Sequence, residues 1–162
     1  MENNGYNQEE NTYLVLDTET TGLKADDGDR VVEIGIIEVK NNKKTGNKLH
    51  LYIKPLDENG KQKPVGETEA IHGLSDEFLS DKPTMQEVMP QILKFIEGKV
   101  LVIHNAPFDV KFLEKELAIC EKPSLFKIIK NVHCTLKTDE RLYPKEKHKL
   151  DYNHCFPYLF LI

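Results

Sequence analysis

The sequence predicts an α/β domain built on a mixed sheet with helices on both faces. Three observations predict it. The first 54 residues hold three β-prone stretches joined by polar loops, the pattern of an antiparallel meander. Val100–Ile103 is a short, continuously apolar run, as expected of a strand buried on both faces, and a helical pattern follows it. A second strand-to-helix step starts near Asn131.

Each element has its own justification. Strand one covers about Tyr13 to Thr18, where Tyr13, Leu14, Val15 and Leu16 form a β-prone run. Gly22 to Arg30 is a loop carrying Asp26, Asp27, Gly28 and Asp29. Val31 to Lys40 is a Val- and Ile-rich second strand. Asn41 to Asn47 holds turn residues, with Gly46 available for positive φ. Leu49 to Lys54 alternates apolar and polar as strand three, and Pro55 to Glu69 is a polar loop.

Ser75 is placed to cap a short helix through Leu79. Thr84 and Glu87 have capping-box spacing, and Met85, Val88, Ile92, Phe95 and Ile96 recur at helical spacing up to Gly98, the expected C-cap. Pro90 inside this helix is expected to kink it or cost stability. After the Val100–Ile103 strand, Asn105 can cap a helix that has Pro107 in its first turn and Phe108, Phe112, Leu113 and Leu117 on its core face. A weak strand over Asn131–Cys134 then leads into a helix from Thr135 to Leu142.

Composition bounds what this domain does. A chain of 162 residues suits one domain with a sizeable core, and 39% hydrophobic with 30% charged residues is ordinary for a soluble fold. The net charge of −5 argues against coating nucleic acid electrostatically, but leaves room for an enzyme that holds nucleic acid through a cation. Cys120, Cys134 and Cys155 are widely spaced, without C-x-x-C, which fits reduced thiols in a cytoplasmic protein. Met1 to Thr12 is polar and is expected to be a disordered lead-in with no signal peptide. No apolar run reaches the ~18 residues needed to span a membrane.

The chemistry is concentrated at carboxylates. Asp17 and Glu19 end strand one, two residues apart, so they share a face at a spacing of roughly 6.5 Å. Two acids beside a buried strand repel each other and lose hydration, and a hard divalent cation would relieve both. The alternative is a surface turn with two solvated acids. Asp109 lies in the first turn of the helix after the fourth strand, where ligand sites gather in open α/β sheets and the helix dipole favours negative charge. It either complements that dipole or, if the helix packs across the end of strand one, joins Asp17 and Glu19 in holding two divalent ions.

Asp17-Thr-Glu-Thr-Thr-Gly, Ile71-His-Gly-Leu and His104-Asn-Ala-Pro-Phe-Asp109 resemble the motifs of the DEDD 3′–5′ exonucleases, in order and at compatible spacing. Within that family the likeness is to the epsilon proofreading subunits of bacterial replicative polymerases, over about Tyr13 to Asp151. The resemblance implies a ribonuclease H-like fold and removal of mononucleotides from a single-stranded or frayed DNA 3′ end. It also implies two Mg²⁺ or Mn²⁺ ions and the DNA polymerase III catalytic subunit as partner. Asp17 and Glu19 would be metal ligands, with Asp109 acting on the second metal directly or through water. Glu67 and His72 would contact the terminal nucleotide, and Thr20 would lie near the 3′ hydroxyl. Asn105 would brace the site or simply cap its helix. Each has a plainer alternative: a solvated loop acid, a packed loop histidine and a turn-closing threonine.

The family's third motif is a histidine, four residues, then an aspartate, supplying the general base and a fourth metal ligand. Here His148-Lys-Leu-Asp151 is followed by the apolar stretch 152–162, with Tyr152, Phe156, Pro157, Tyr158 and Phe160, and no His-x4-Asp appears. Asp151 matches the Leu-Asp ahead of that motif, and neither His148 nor His154 has an aspartate five residues on. The exonuclease domain is therefore expected over 13–151 in incomplete form, with a tail outside the family pattern, as a changed reading frame would produce. Loss of a general base alone costs 10²–10⁴-fold, so this polypeptide is expected to have little exonuclease activity of its own. The alternative function is a non-catalytic remnant or polymerase-binding module.

Overall fold

The computed structural model describes residues 12–145. The expectations for the lead-in before Thr12, for His148, Asp151 and His154, and for the 152–162 tail lie outside the described residues. Five strands form one mixed sheet: β1 (Thr12–Thr20), β2 (Val31–Lys40), β3 (Lys43–Tyr52), β4 (Val100–Ile103) and β5 (Asn131–Cys134). Their spatial order is β3-β2-β1-β4-β5. The first three make the expected antiparallel meander, and β4 and β5 add in parallel to β1. The helices flanking the sheet are α1 (Glu69–His72), α2 (Asp76–Leu79), α3 (Met85–Ile96), α4 (Ala106–Ile119) and α5 (Thr135–Leu142).

The period-two pattern of β1 sorts its side chains. Leu14 and Leu16 join Ile34, Ile36, Leu101 and Ile103 in the main core, under Met85, Val88, Ile92 and Ile96 of α3 and Phe112, Leu113 and Leu117 of α4. Val15 points the other way, into a smaller cluster with Val39 and Val102. Burying Phe112, at 1% exposure, fixes α4 against the sheet, and emptying that volume would cost about 3–5 kcal/mol.

Helix ends follow their local chemistry. The Ser75 hydroxyl accepts from the Phe78 N–H at 3.1 Å. The Glu87 carboxylate reaches back to the Thr84 N–H at 2.7 Å, as the capping-box spacing predicts. Gly98 takes the left-handed conformation just past α3 (φ 68°). Pro90 stays within α3 on its exposed side, where water can satisfy the carbonyl that its missing N–H leaves free.

Several expectations are corrected. Thr12 already belongs to β1, pairing with Lys40. The hairpin turn is two residues long: Asn41 and Asn42 both take positive φ (50° and 58°), the geometry of a tight primed turn. Gly46 does have positive φ (90°), but within β3, where the register slips between Ile37 and Val39. Glu69–His72 is a helical turn, where the sequence suggested loop up to Glu69 and gave no periodicity long enough to mark a helix. Asn105 precedes α4 in the left-handed region (φ 54°, ψ 45°) with no side-chain cap bond, because an N-cap side chain needs an extended backbone to reach back to the helix N–H groups.

Candidate active site

β1 outruns β4. The parallel ladder between them registers Leu14 with Leu101 and Val15 with Val102, and β4 ends at Ile103. Residues 17–20 of β1 continue past that point, paired on the other side with β2. The carboxyl ends of two parallel neighbours and the start of α4 thus meet in one place, where open α/β sheets bind ligands. The β1–β2 register shifts between Glu19 and Thr20, a bulge of the kind that re-aims side chains beside functional sites.

Asp17 and Glu19 lie on the Val15 face, and Thr18 lies on the face toward α4. The fully buried Asp109, 2% exposed in the first turn of α4, accepts a 2.7 Å hydrogen bond from the Thr18 hydroxyl. Asp109 is therefore more than a complement to the helix dipole: it is tied, across 91 positions of sequence, to the residue between the other two acids. Burial pushes the Asp109 carboxyl up to about 7, with repulsion from Asp17 adding to the rise and the Thr18 bond opposing it. Burial also pushes Glu19 up to about 7, helped by the charges of Asp17 and Glu33. Asp17 is raised by burial and by Glu33, while the Thr18 backbone N–H and the His104 imidazole oppose the rise.

Asp17 thus repels each of the other two acids, and the three carboxylates offer what a hard divalent cation takes: anionic oxygens, partly to wholly buried. They are not drawn into a finished cage. Among the described residues no group of three His, Cys, Asp or Glu side chains is close enough to hold an ion as it stands. The Thr18 bond engages Asp109 on the helix side of the strand, while Asp17 and Glu19 lie on the Val15 face.

The remaining predicted residues sit in self-contained arrangements. The Thr20 hydroxyl donates to the Gly22 carbonyl at 2.6 Å, closing the turn after β1. His72 Nδ1 accepts from the Leu74 N–H at 3.1 Å, and Nε2 lies 3.1 Å from the Thr68 hydroxyl, so the ring is braced inside its own loop. Glu67 lies in a single turn of 3-10 helix over Gly66–Thr68. Asn105 is exposed at the mouth between β4 and α4.

Three contributors escaped sequence reasoning. Thr18 was visible only as the filler of Asp-x-Glu. His104, whose Nδ1 lies 3.0 Å from the Thr135 hydroxyl, stood in a quoted motif without a role. Glu33 faces Glu19 across the β1–β2 ladder, which cannot be known before the register is fixed. A cleft of about 640 Å³ lined by Asp26, Arg30, Leu56, Asp57, Lys63 and Lys115 lies away from these acids and includes none of them.

Known proteins resemble this chain in sequence and fold. Residues 14–155 match the RNase T family profile, described as exonuclease. The chain is 42% identical over 139 residues to the DNA polymerase III subunit epsilon of Rickettsia prowazekii, covering 85% of this chain and 58% of that protein. It is 38% identical over 144 residues to the Escherichia coli K12 subunit of the same name, covering 85% and 57%. The chain therefore spans a little over half the length of these relatives. Among solved structures, exonuclease X in complex with 5′ overhanging duplex DNA superposes with a TM-score of 0.62 at 27% identity, over 85% of this chain and 68% of that one. The ribonuclease H-like architecture expected from the motifs is the one observed.

Proposed function

The chain belongs to the RNase T exonuclease family, and from that premise we propose that it acts on the 3′ end of DNA, hydrolysing the terminal phosphodiester as a proofreading nuclease. The observation that carries this reading is the hydrogen bond to Asp109 of α4 from Thr18, the residue between Asp17 and Glu19 on β1, at the carboxyl ends of two parallel strands. Asp17, Glu19 and Asp109 would hold Mg²⁺ or Mn²⁺. A bound pair of such ions supplies charge stabilisation to a phosphodiester under attack.

The chain's own residues do the rest. Thr18 fixes Asp109 and keeps it from turning away from the strand. Thr20, at the end of β1, stands beside the 3′ hydroxyl. Glu67 and the braced His72 contact the terminal nucleotide from the α1 side. Asn105 marks the mouth through which the strand enters. The natural partners on this reading are a single-stranded or frayed DNA end and the catalytic subunit of DNA polymerase III.

The decisive experiment is release of nucleotides from a 3′-labelled single-stranded oligonucleotide by the purified chain with Mg²⁺ or Mn²⁺, with Asp17→Ala as control. Metal-dependent release lost in the variant supports the nuclease. The hold of Thr18 on Asp109, away from the face that carries Asp17 and Glu19, favours a second reading in which the chain binds metal and a DNA end without turnover. Mn²⁺ binding that Asp17→Ala abolishes, with no nucleotide released, selects that second reading. Absence of both metal binding and release overturns the two together.

A further inference from the structure

The face of the sheet that carries Asp17 and Glu19 continues onto β2 and β3, and its row of side chains there is unusual. Glu19 pairs directly with Glu33, and Asp17 pairs directly with Gly35. Gly35 in turn pairs with His50, and Glu33 with Tyr52. Two glutamates facing each other on adjacent strands are a destabilising choice, since directly opposed side chains approach to about 5 Å. Glu33 is nevertheless kept, mostly buried with 23% of its side chain exposed, and it is pinned: His50 Nε2 lies 2.5 Å from its Oε1. The pin is itself supported, because the His50 ring packs on Tyr52 with centroids 4.9 Å apart and Tyr52 meets Phe78 edge-on at 5.0 Å.

A plain cross-strand contact would need only Glu33 and His50. It would not need Glu33 opposite another acid, with a second acid one position further along the same face. The charge of Glu33 reaches both Glu19 and Asp17. Resting on the metal-site reading above, we propose that Glu33, held by His50, is a positioning residue for that site: it touches no substrate and ligates no ion, but adds the fixed negative charge that lets Asp17 and Glu19 capture a divalent cation. Outer partners of metal ligands orient and charge the ligands they neighbour, and their loss typically weakens metal binding 10–100-fold.

The test is Mn²⁺ binding by the whole chain, followed through the electron paramagnetic resonance signal of free Mn²⁺, with thermal melting of the metal-free protein as a second readout. Glu33→Gln keeps shape and removes charge. It should weaken Mn²⁺ binding on the order of tenfold while leaving the metal-free melting temperature unchanged or higher, since the repulsion of Glu19 is relieved. Glu33→Asp, which keeps the charge, should restore most of the affinity. If Glu33→Gln fails to fold, His50→Ala, which releases the carboxylate from its pin, should still weaken binding. Unchanged Mn²⁺ affinity in Glu33→Gln, or a lower melting temperature with unchanged affinity, overturns the proposal and leaves a structural pair. Failure of wild type to bind Mn²⁺ at all overturns the metal-site reading itself, so the two failures are distinguishable.

Discussion

Helix α4 buries two acids, two turns apart, in opposite circumstances. Glu116, 1% exposed, receives Arg30 Nε at 2.8 Å and Arg30 Nη2 at 2.6 Å, and accepts from the Val31 N–H as well. Arg30 also donates to the Leu56 carbonyl. This is a two-pronged, charge-balanced lock that joins the loop after β1 to the C-terminal end of α4. Asp109, 2% exposed, has a hydroxyl for a partner and another acid for a neighbour. The same helix, the same burial and the same functional group thus give a fastener at one end and a stored repulsion at the other. The difference is whether the fold supplies its own cation. Where it does, the acid is structural; where it does not, the acid is left for a cation from solution on the metal-site reading proposed above.

The largest test of that contrast is to unbalance the fastener. Glu116→Gln or Arg30→Met leaves one buried charge without its partner and should cost about 3–5 kcal/mol in urea unfolding. The double replacement Arg30→Met with Glu116→Leu should cost less than either single change, because no orphaned charge remains. At the other end, Asp109→Asn should leave the metal-free fold as stable or more stable at pH 8, while reducing any metal-dependent nucleotide release by on the order of 10²-fold or more. A large loss of stability in Asp109→Asn would place it with Glu116 as a fastener and erase the contrast.

The pH dependence of the metal-free protein carries the same contrast. Asp109 and Glu19 ionise near 7 in the folded chain, well above their ordinary values of 3.8 and 4.5. Below about pH 3 both are mostly protonated whether the chain is folded or not, so their burial adds no charge penalty. As pH rises toward 7 the unfolded chain sheds these protons while the folded one resists, so their contribution to stability is lost across that window and stays lost above it. The lowered acids Asp26, Asp57, Asp81 and Glu87 act in the opposite sense, and below this window. The melting temperature should therefore fall from pH 5 to pH 8. Mn²⁺ should restore it most at pH 8, and Asp109→Asn should flatten the slope. A melting temperature that rises steadily over that range would contradict the burial of two uncompensated acids.

How much of this was legible in the sequence follows the range of each interaction. Val31–Lys40 and Asn131–Cys134 emerged with the bounds expected, and the starts of α2 and α3 were marked by Ser75 and Thr84, because strand patterning and caps are written within a few residues. The two-residue Asn41-Asn42 turn was blurred into a longer one because Gly46 advertised a turn of its own and was used for a bulge instead. Asp17, Glu19 and Asp109 were legible as candidates from motif and position. What held them was not. The Thr18–Asp109 bond spans 91 positions and the Arg30–Glu116 lock spans 86, and neither leaves a local signal. Glu33 needed the β1–β2 register, which one slipped residue would have turned to the opposite face.

A smaller effect separates the hydroxyl of Thr18 from its shape. Thr18→Val keeps the branched side chain and removes the donor at 2.7 Å from Asp109. Hydrogen bonds to charged groups contribute about 1.5–3 kcal/mol and neutral ones about 1. The variant should therefore lose more stability at pH 8, where Asp109 is ionised, than at pH 5, where it is protonated. An equal loss at both would mean that Thr18 acts through packing alone.

The smallest effect completes the comparison from outside the core. Lys111, on α4 between the two acids, reaches Asp26 at 2.6 Å, as close as Arg30 comes to Glu116, but the two side chains are 54% and 72% exposed. In water, attraction at this distance is mostly offset by solvation and by the ordering of two long side chains, so Lys111→Ala should cost only about 0.2–1 kcal/mol. Added salt should shrink that further. If distance set the strength of an ion pair, Lys111→Ala and Arg30→Met would match in urea unfolding. If burial sets it, they separate by several kcal/mol on one helix, and the charge that matters at Asp109 is the one that water cannot reach.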